Sequence, residues 1–164
     1  MITTADLCDT HSDMIATGDL HILQGTWRWF GKAASMRGPI VTLQAHGCNT
    51  ELREQLDQPG LGRILVIEAG DDPGALLGEN LSMKALLNGW AGFLINGNVR
   101  DSRSLSAIDL PVLALGSWPA RSKNEPGGMS DVILEIGGAR LSPGDWLYAD
   151  SDGVLLSRVQ LKTN

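Results

Sequence analysis

The sequence predicts a mixed α/β fold in one domain spanning residues 1–164, a βαβαβ unit with C-terminal antiparallel strands added. Two observations carry this. Through the middle of the chain, short apolar runs alternate with helical patterns at a spacing that favours parallel neighbours joined by right-handed crossovers. The segment "SDVILEIGGARLSPGDWLYADSDGVLLS" (130–157) then changes character. Its Gly-Gly, Pro-Gly-Asp and Asp-Gly turns separate short strands, the pattern of an antiparallel meander.

Taken in order, residues 1–17 predict a short helix, with Thr3 or Thr4 as its cap before Leu7, Met14 and Ile15. Trp27 and Trp29 alternate at strand spacing and suit packing in the core or at a subunit interface. "GPIVTLQA" (38–45) reads as a strand, and "NTELREQLDQ" (49–58) as a capped amphipathic helix ended by Pro59-Gly60. "RILVIEAG" (63–70) is a short buried strand. Residues 79–88 read as a helix because Leu81, Ala85 and Leu86 make one apolar stripe. "AGFLIN" (91–96) is a second buried strand, 97–108 turns into a short helix, and "LPVLALGS" (110–117) is a further strand. "WPARSKNEPGGMS" (118–130) reads as a mobile loop.

The totals narrow the function classes. A net charge of -6 argues against a nucleic-acid-binding face, which would be basic. Residues 1–27 carry Asp6, Asp9, Asp13 and Asp19 with no Lys or Arg, an acidic surface suited to a basic protein partner. Cys8 and Cys48 make no disulfide framework. No run reaches the roughly 18 apolar residues of a membrane span, and the start "MITTADLCDTHSD" is not a leader. Together these read as a cytoplasmic protein with reduced thiols and no membrane contact.

Ligands of open α/β units bind outside the carboxyl ends of the strands. The loop after strand 63–70 leads to the N-terminus of helix 79–88, where N–H groups of Gly78, Glu79, Asn80 and Leu81 attract an anion. The loop after strand 91–96 presents Arg100 and Asp101 at the start of another helix. If these strands are neighbours, one crevice holds N–H groups, a guanidinium and two carboxylates. Arg100 then grips a carboxylate, and Asp101 and Glu79 are hard oxygen ligands for a hydrated Mg²⁺ or Mn²⁺. A cation beside an arginine polarises a 2-keto group and stabilises an enolate. Plainer roles stay open: Asp101 as a helix N-cap, Glu79 as a dipole-favoured acid, Arg100 in a surface ion pair.

These same residues carry a resemblance. "LCD" (7–9), "FGKAASMRGPIVTL" (30–43), "GRILVIEAG" (62–70), "GENL" (78–81), "GFLINGNVRD" (92–101) and "IGGARLSPGDWLYADSDGVLLS" (136–157) run through most of the chain. It resembles the family uniting regulator of ribonuclease activity A with divalent-metal-dependent 4-hydroxy-4-methyl-2-oxoglutarate aldolases. An acidic residue, twenty intervening positions and Arg-Asp form that family's active-site pattern, here Glu79 and Arg100-Asp101. The resemblance implies that the 78–81 backbone and Arg100 bind the pyruvyl group, Asp101 holds Mg²⁺ or Mn²⁺, and Glu79 sits in its water shell. It implies aldol cleavage to two pyruvates, oxaloacetate decarboxylation as a side activity, a homotrimer, and a swivelling-domain-like β/β/α fold. Ser104 stands where many active members are acidic. The chain's length is nearer to the regulators, which bind and inhibit ribonuclease E without cleaving RNA. Those regulators lack the Arg-Asp retained here. The alternative function is therefore a non-catalytic regulator of ribonuclease E.

Other motifs carry less. "CDTHSD" (8–13) offers ligand atoms that would not share one helix face, and "DSDG" (150–153) suits a hairpin turn better than a calcium loop. "GDDPGALLG" lacks the Gly-Lys-Ser/Thr ending of a phosphate loop, and His21 and His46 stand alone.

Overall fold

The computed structural model describes residues 2–163. The chain begins with α1 (Thr4–Thr10), α2 (Ser12–Thr17), β1 (Leu20–Ile22) and β2 (Arg28–Trp29). The central unit is β3 (Met36–Gln44), α3 (Thr50–Asp57), β4 (Ile64–Glu68), α4 (Glu79–Leu87), β5 (Gly92–Val99), α5 (Ser102–Leu105) and β6 (Val112–Ser117). There follow β7 (Met129–Ser130), β8 (Leu134–Ile136), β9 (Ala139–Leu141), β10 (Trp146–Ala149) and β11 (Val154–Ser157).

Strands β3, β4, β5 and β6 pair in parallel in chain order, as short crossovers dictate. The sheet runs β1-β11-β10-β3-β4-β5-β6-β2, with β7 also on β3. Side-chain alternation explains why the central strands read as continuous apolar runs. Leu65 and Ile67 of β4, Phe93 and Ile95 of β5, and Val112 and Ala114 of β6 join one core with Leu52, Leu56 and Ala85 of the helices. Ile64, Val66, Leu94 and Leu113 point the other way, into a second core with Leu134, Ile136 and Leu141 of the β8–β9 hairpin. Both faces of the parallel strands are therefore buried, between a helical layer and a second β-layer.

Several expectations are corrected. The helix predicted over 1–17 breaks at His11 (φ -119°, ψ 34°), so α1 and α2 are separate. Thr3 caps α1 in a capping box with Asp6. Strand 91–96 extends to Val99, and the helix expected within 97–108 contracts to the four residues of α5. Segment 118–130 is not a free loop. The Ala75 N–H donates to Ala120 O and the Ser122 N–H to Ala75 O. Lys123 exchanges bonds with Gly47 and Asn49, and the Thr50 hydroxyl donates to Glu125 O at 2.7 Å. The strap is held because Gly47 O, the Asn49 N–H, and the Ala75 N–H and O lie outside the named strands and are left for it to bond.

Asp150–Gly153 forms the β10–β11 turn, with Asp150 N–H bonded to Gly153 O. The Asp150 carboxylate also accepts from the Thr4 N–H and hydroxyl, both at 2.7 Å, fastening α1 to the sheet. Trp29 Nε1 donates to Asp150 O, and Trp27 packs on the second core.

Candidate functional site

The site begins with the pairing of β4 and β5, which puts their following loops side by side. The register between β5 and β6 shifts between Ile95 and Asn98. Gly97 lies in that irregularity, where an added Cβ would stand 2.4 Å from Ala69 Cβ, so only glycine lets β5 pass the β4 end. Beyond the shift, Val99 bridges both Leu77 and Ser117. The Arg100 N–H donates to Leu77 O at 2.9 Å, and the Trp118 N–H donates to Val99 O at 2.9 Å. The ends of β5 and β6 and the Leu77 segment are thereby locked together around Arg100.

The plain reading of Asp101 as a capping residue meets the structure first. Asp101 occupies the N-cap position of α5 but makes no side-chain capping bond there. Its backbone is left-handed (φ 57°, ψ 38°), uncommon for a residue other than glycine. That conformation turns the carboxylate away from α5, and Oδ2 accepts the Glu79 N–H at 3.1 Å. Gly78, the N-cap of α4, has no side chain to do so, and an added Cβ there would meet Asp101 Oδ2 at 2.5 Å. Of the N–H groups predicted to receive an anion, that of Glu79 is thus engaged by the protein's own carboxylate. Among the described residues, Glu79 makes no side-chain hydrogen bond, and Glu79 and Asn80 are exposed.

Arg100 and Asp101 border a cleft of about 400 Å³ that is also lined by Ser102, Arg103, Ser104, Ser117, Trp118 and Pro119. Glu79, Asn80 and Leu81 do not line it, so the sequence-predicted residues meet at Asp101 without sharing one wall. Ser117 and Trp118 were missed although the strand-end rule pointed to them, since they end the parallel strand β6. A larger cavity, about 540 Å³, lies between α1 and the β3–β10 pair. None of Glu79, Arg100 and Asp101 borders it, and its one carboxylate, Asp150, is already bonded to Thr4.

Among the described residues no three His, Cys, Asp or Glu side chains gather as a metal cage. The donor set at Asp101 and Glu79 instead suits a hydrated hard cation, which uses one or two carboxylates and keeps most of its water. Zinc sites, by contrast, are usually built around Cys or His ligands, and neither lines this cleft.

A sequence profile of the RraA-like family, Aldolase/RraA, matches residues 4–156. The chain belongs to this family. Proteins of Burkholderia mallei (strain SAVP1) and Burkholderia pseudomallei (strain K96243), provisionally named 4-hydroxy-4-methyl-2-oxoglutarate aldolases, are each 44% identical over 158 residues, 96% of either chain. Two solved structures superpose with TM-scores of 0.91 and cover 99% of this chain. One, from Geobacillus kaustophilus HTA426, is described as an S-adenosylmethionine:2-dimethylmenaquinone methyltransferase, is 37% identical and is covered in full, 100%. The other, the RNA-processing inhibitor RraA from Thermus thermophilis, is 33% identical and 96% covered. One Aldolase/RraA fold thus carries three functional names, and the residues of the site must choose among them.

Proposed function

We propose that the chain is a divalent-metal-dependent aldolase of the class II type that cleaves 4-hydroxy-4-methyl-2-oxoglutarate to two pyruvates. Oxaloacetate decarboxylation would be its side activity, because both reactions pass through the enolate of pyruvate. The observation that carries this reading is the left-handed Asp101, whose carboxylate is held at the α4 N-terminus beside Arg100 rather than on its own helix. The name shared by the Burkholderia relatives supports the same chemistry.

In this reading Arg100 binds and orients the pyruvyl carboxylate through its planar pair of donors. Of the N–H groups of Gly78, Glu79, Asn80 and Leu81 at the α4 start, that of Glu79 holds the Asp101 carboxylate in place, and the others would favour the substrate anion. Asp101 holds Mg²⁺ or Mn²⁺, and Glu79 orients its water. The cation, when bound, supplies Lewis-acid polarisation of the keto oxygen. Trp118 and Pro119 form an apolar part of the cleft wall. We also propose a cytoplasmic homotrimer with sites near subunit boundaries; the exposed Leu115 and Trp118 beside the cleft are consistent with that.

The second reading, a non-catalytic regulator that binds and inhibits ribonuclease E, is favoured by the likeness to the Thermus RNA-processing inhibitor. Pyruvate release from the aldol substrate with Mg²⁺, compared between the wild type and Asp101→Ala, separates the two. Metal-dependent turnover lost in the variant is the expected result. No turnover above the variant would refute the aldolase reading and favour the regulator.

A further inference from the structure

The cleft beside Asp101 contains a second guanidinium that the Glu79…Arg100-Asp101 pattern does not use. Arg103 borders the same cleft as Arg100, three positions further along the chain. Among the described residues the ion pairs are Lys84–Asp57 and Arg158–Asp145. No acidic side chain among the described residues therefore lies within ion-pair distance of Arg100 or Arg103. In a chain of net charge -6, a cleft with two guanidiniums and one carboxylate is a local positive field, which draws anions. Its size, about 400 Å³, is within the range of small-molecule sites. Ser102, Ser104 and Ser117 add hydroxyl groups to it, and Trp118, 45% exposed yet fixed through its backbone to Val99, forms an apolar wall.

We propose that Arg103 is a specificity-determining residue that binds the distal carboxylate of a 2-keto dicarboxylic acid whose proximal end is held at Arg100. This rests on the aldolase reading of the site and adds to it the group that separates dicarboxylates from monocarboxylates. Arg100 takes the carboxylate next to the keto group, common to both classes. Arg103 takes the one at the far end, and the carbon chain between them lies against Trp118. A guanidinium matches a carboxylate with two parallel N–H donors, whereas a lysine offers a point charge. Arg103→Lys should therefore keep only part of the preference.

The test is calorimetric titration of the full chain, with Mg²⁺ present, using pyruvate and 2-oxoglutarate as probes. The wild type should bind 2-oxoglutarate more tightly than pyruvate. The ratio of the two affinities should fall about tenfold in Arg103→Ala, as expected for one lost charge-assisted hydrogen-bond pair at an open site. Arg103→Lys should fall between. A merely structural role for Arg103 would weaken both ligands together and leave the ratio alone. An unchanged ratio, or a wild type without preference for the dicarboxylate, overturns the role of Arg103 while pyruvate binding leaves the aldolase reading standing. A wild type that binds neither probe overturns both.

Discussion

Gly78→Ala tests the geometry of the site through an atom that carries no charge. Gly78 has φ -140° and ψ -164°, extended backbone open to alanine, so no strain arises from the dihedrals themselves. The effect comes from space. The new Cβ would stand 2.5 Å from Asp101 Oδ2 and 3.3 Å from Arg100 Cγ. Ordinary contact between such atoms needs about 3.5 Å, so the carboxylate must retreat by roughly 1 Å and release the Glu79 N–H. Alanine is also a poorer N-cap than glycine by about 0.5–1 kcal/mol. The lost hydrogen bond adds about 1 kcal/mol, after discounting for the water that reaches Asp101. A total of about 1–2 kcal/mol corresponds to a fall in Tm of roughly 2–8 °C for a chain of this size. Activity should suffer more, because a misplacement of about 1 Å in a reacting constellation costs on the order of a hundredfold. Thermal unfolding followed by circular dichroism, with pyruvate release at saturating Mg²⁺, gives both quantities. A variant with the lower Tm but wild-type turnover would refute the claim that Asp101 works from its place against α4.

Two stability predictions follow from single residues elsewhere. Burial pushes the Asp150 carboxyl up, but bonds from the Thr4 hydroxyl and from the N–H groups of Thr4, Asp152 and Gly153 outweigh it and hold it below the usual carboxylate range. A carboxyl lowered on folding contributes stability above its unfolded pKa, near 3.8, and loses it as the pH falls through the lower folded value. Asp150→Asn should therefore cost about 1–2 kcal/mol at neutral pH and flatten the acid limb of the Tm–pH curve below pH ~4, which melts across that range would check. Leu61 is a leucine in the left-handed region (φ 54°) with 80% of its surface exposed. Leu61→Asn should raise Tm by about 2–4 °C, since asparagine tolerates a conformation that costs other residues about 1–2 kcal/mol.

How much was legible in the sequence depended on how local the cause was. The parallel strands announced themselves because both faces are buried, which leaves Ile64, Leu65, Val66 and Ile67 as an unbroken apolar run. Their order followed from crossover handedness, and with it the meeting of the Glu79 and Arg100 loops. β1 and β7 escaped because two or three residues contain no period to read, whereas β2 was signalled only by the alternation of Trp27 and Trp29. The strap at 118–130 escaped because its partners, Gly47, Asn49 and Ala75, lie far away in the chain. At the site, residue types and spacing were visible, but direction was not. The register shift beyond Ile95 and the left-handed turn at Asp101 decide which wall each side chain faces. Neither is encoded in a pattern of polarity, so the cleft wall of Ser117 and Trp118 emerged only from the folded chain.

The conformation of Asp101 also bears on whether it serves only to cap its helix. Aspartate is favoured at an N-cap because its side chain accepts an N–H of the following turn. Asp101 holds the position without that bond and in a backbone region that favours glycine. A residue selected for capping alone would gain nothing from this arrangement. Asp101→Gly should leave the backbone energy nearly unchanged, because aspartate already tolerates the left-handed region, while losing a solvent-exposed hydrogen bond worth about 1 kcal/mol. Its Tm should then stay within about 4 °C of the wild type. Mn²⁺ titration followed by electron paramagnetic resonance should, by contrast, lose the bound-ion component, and Mg²⁺-dependent pyruvate release should vanish with it. If Asp101 were only the start of α5, the variant would keep its Mn²⁺ binding, and the left-handed turn would need another explanation.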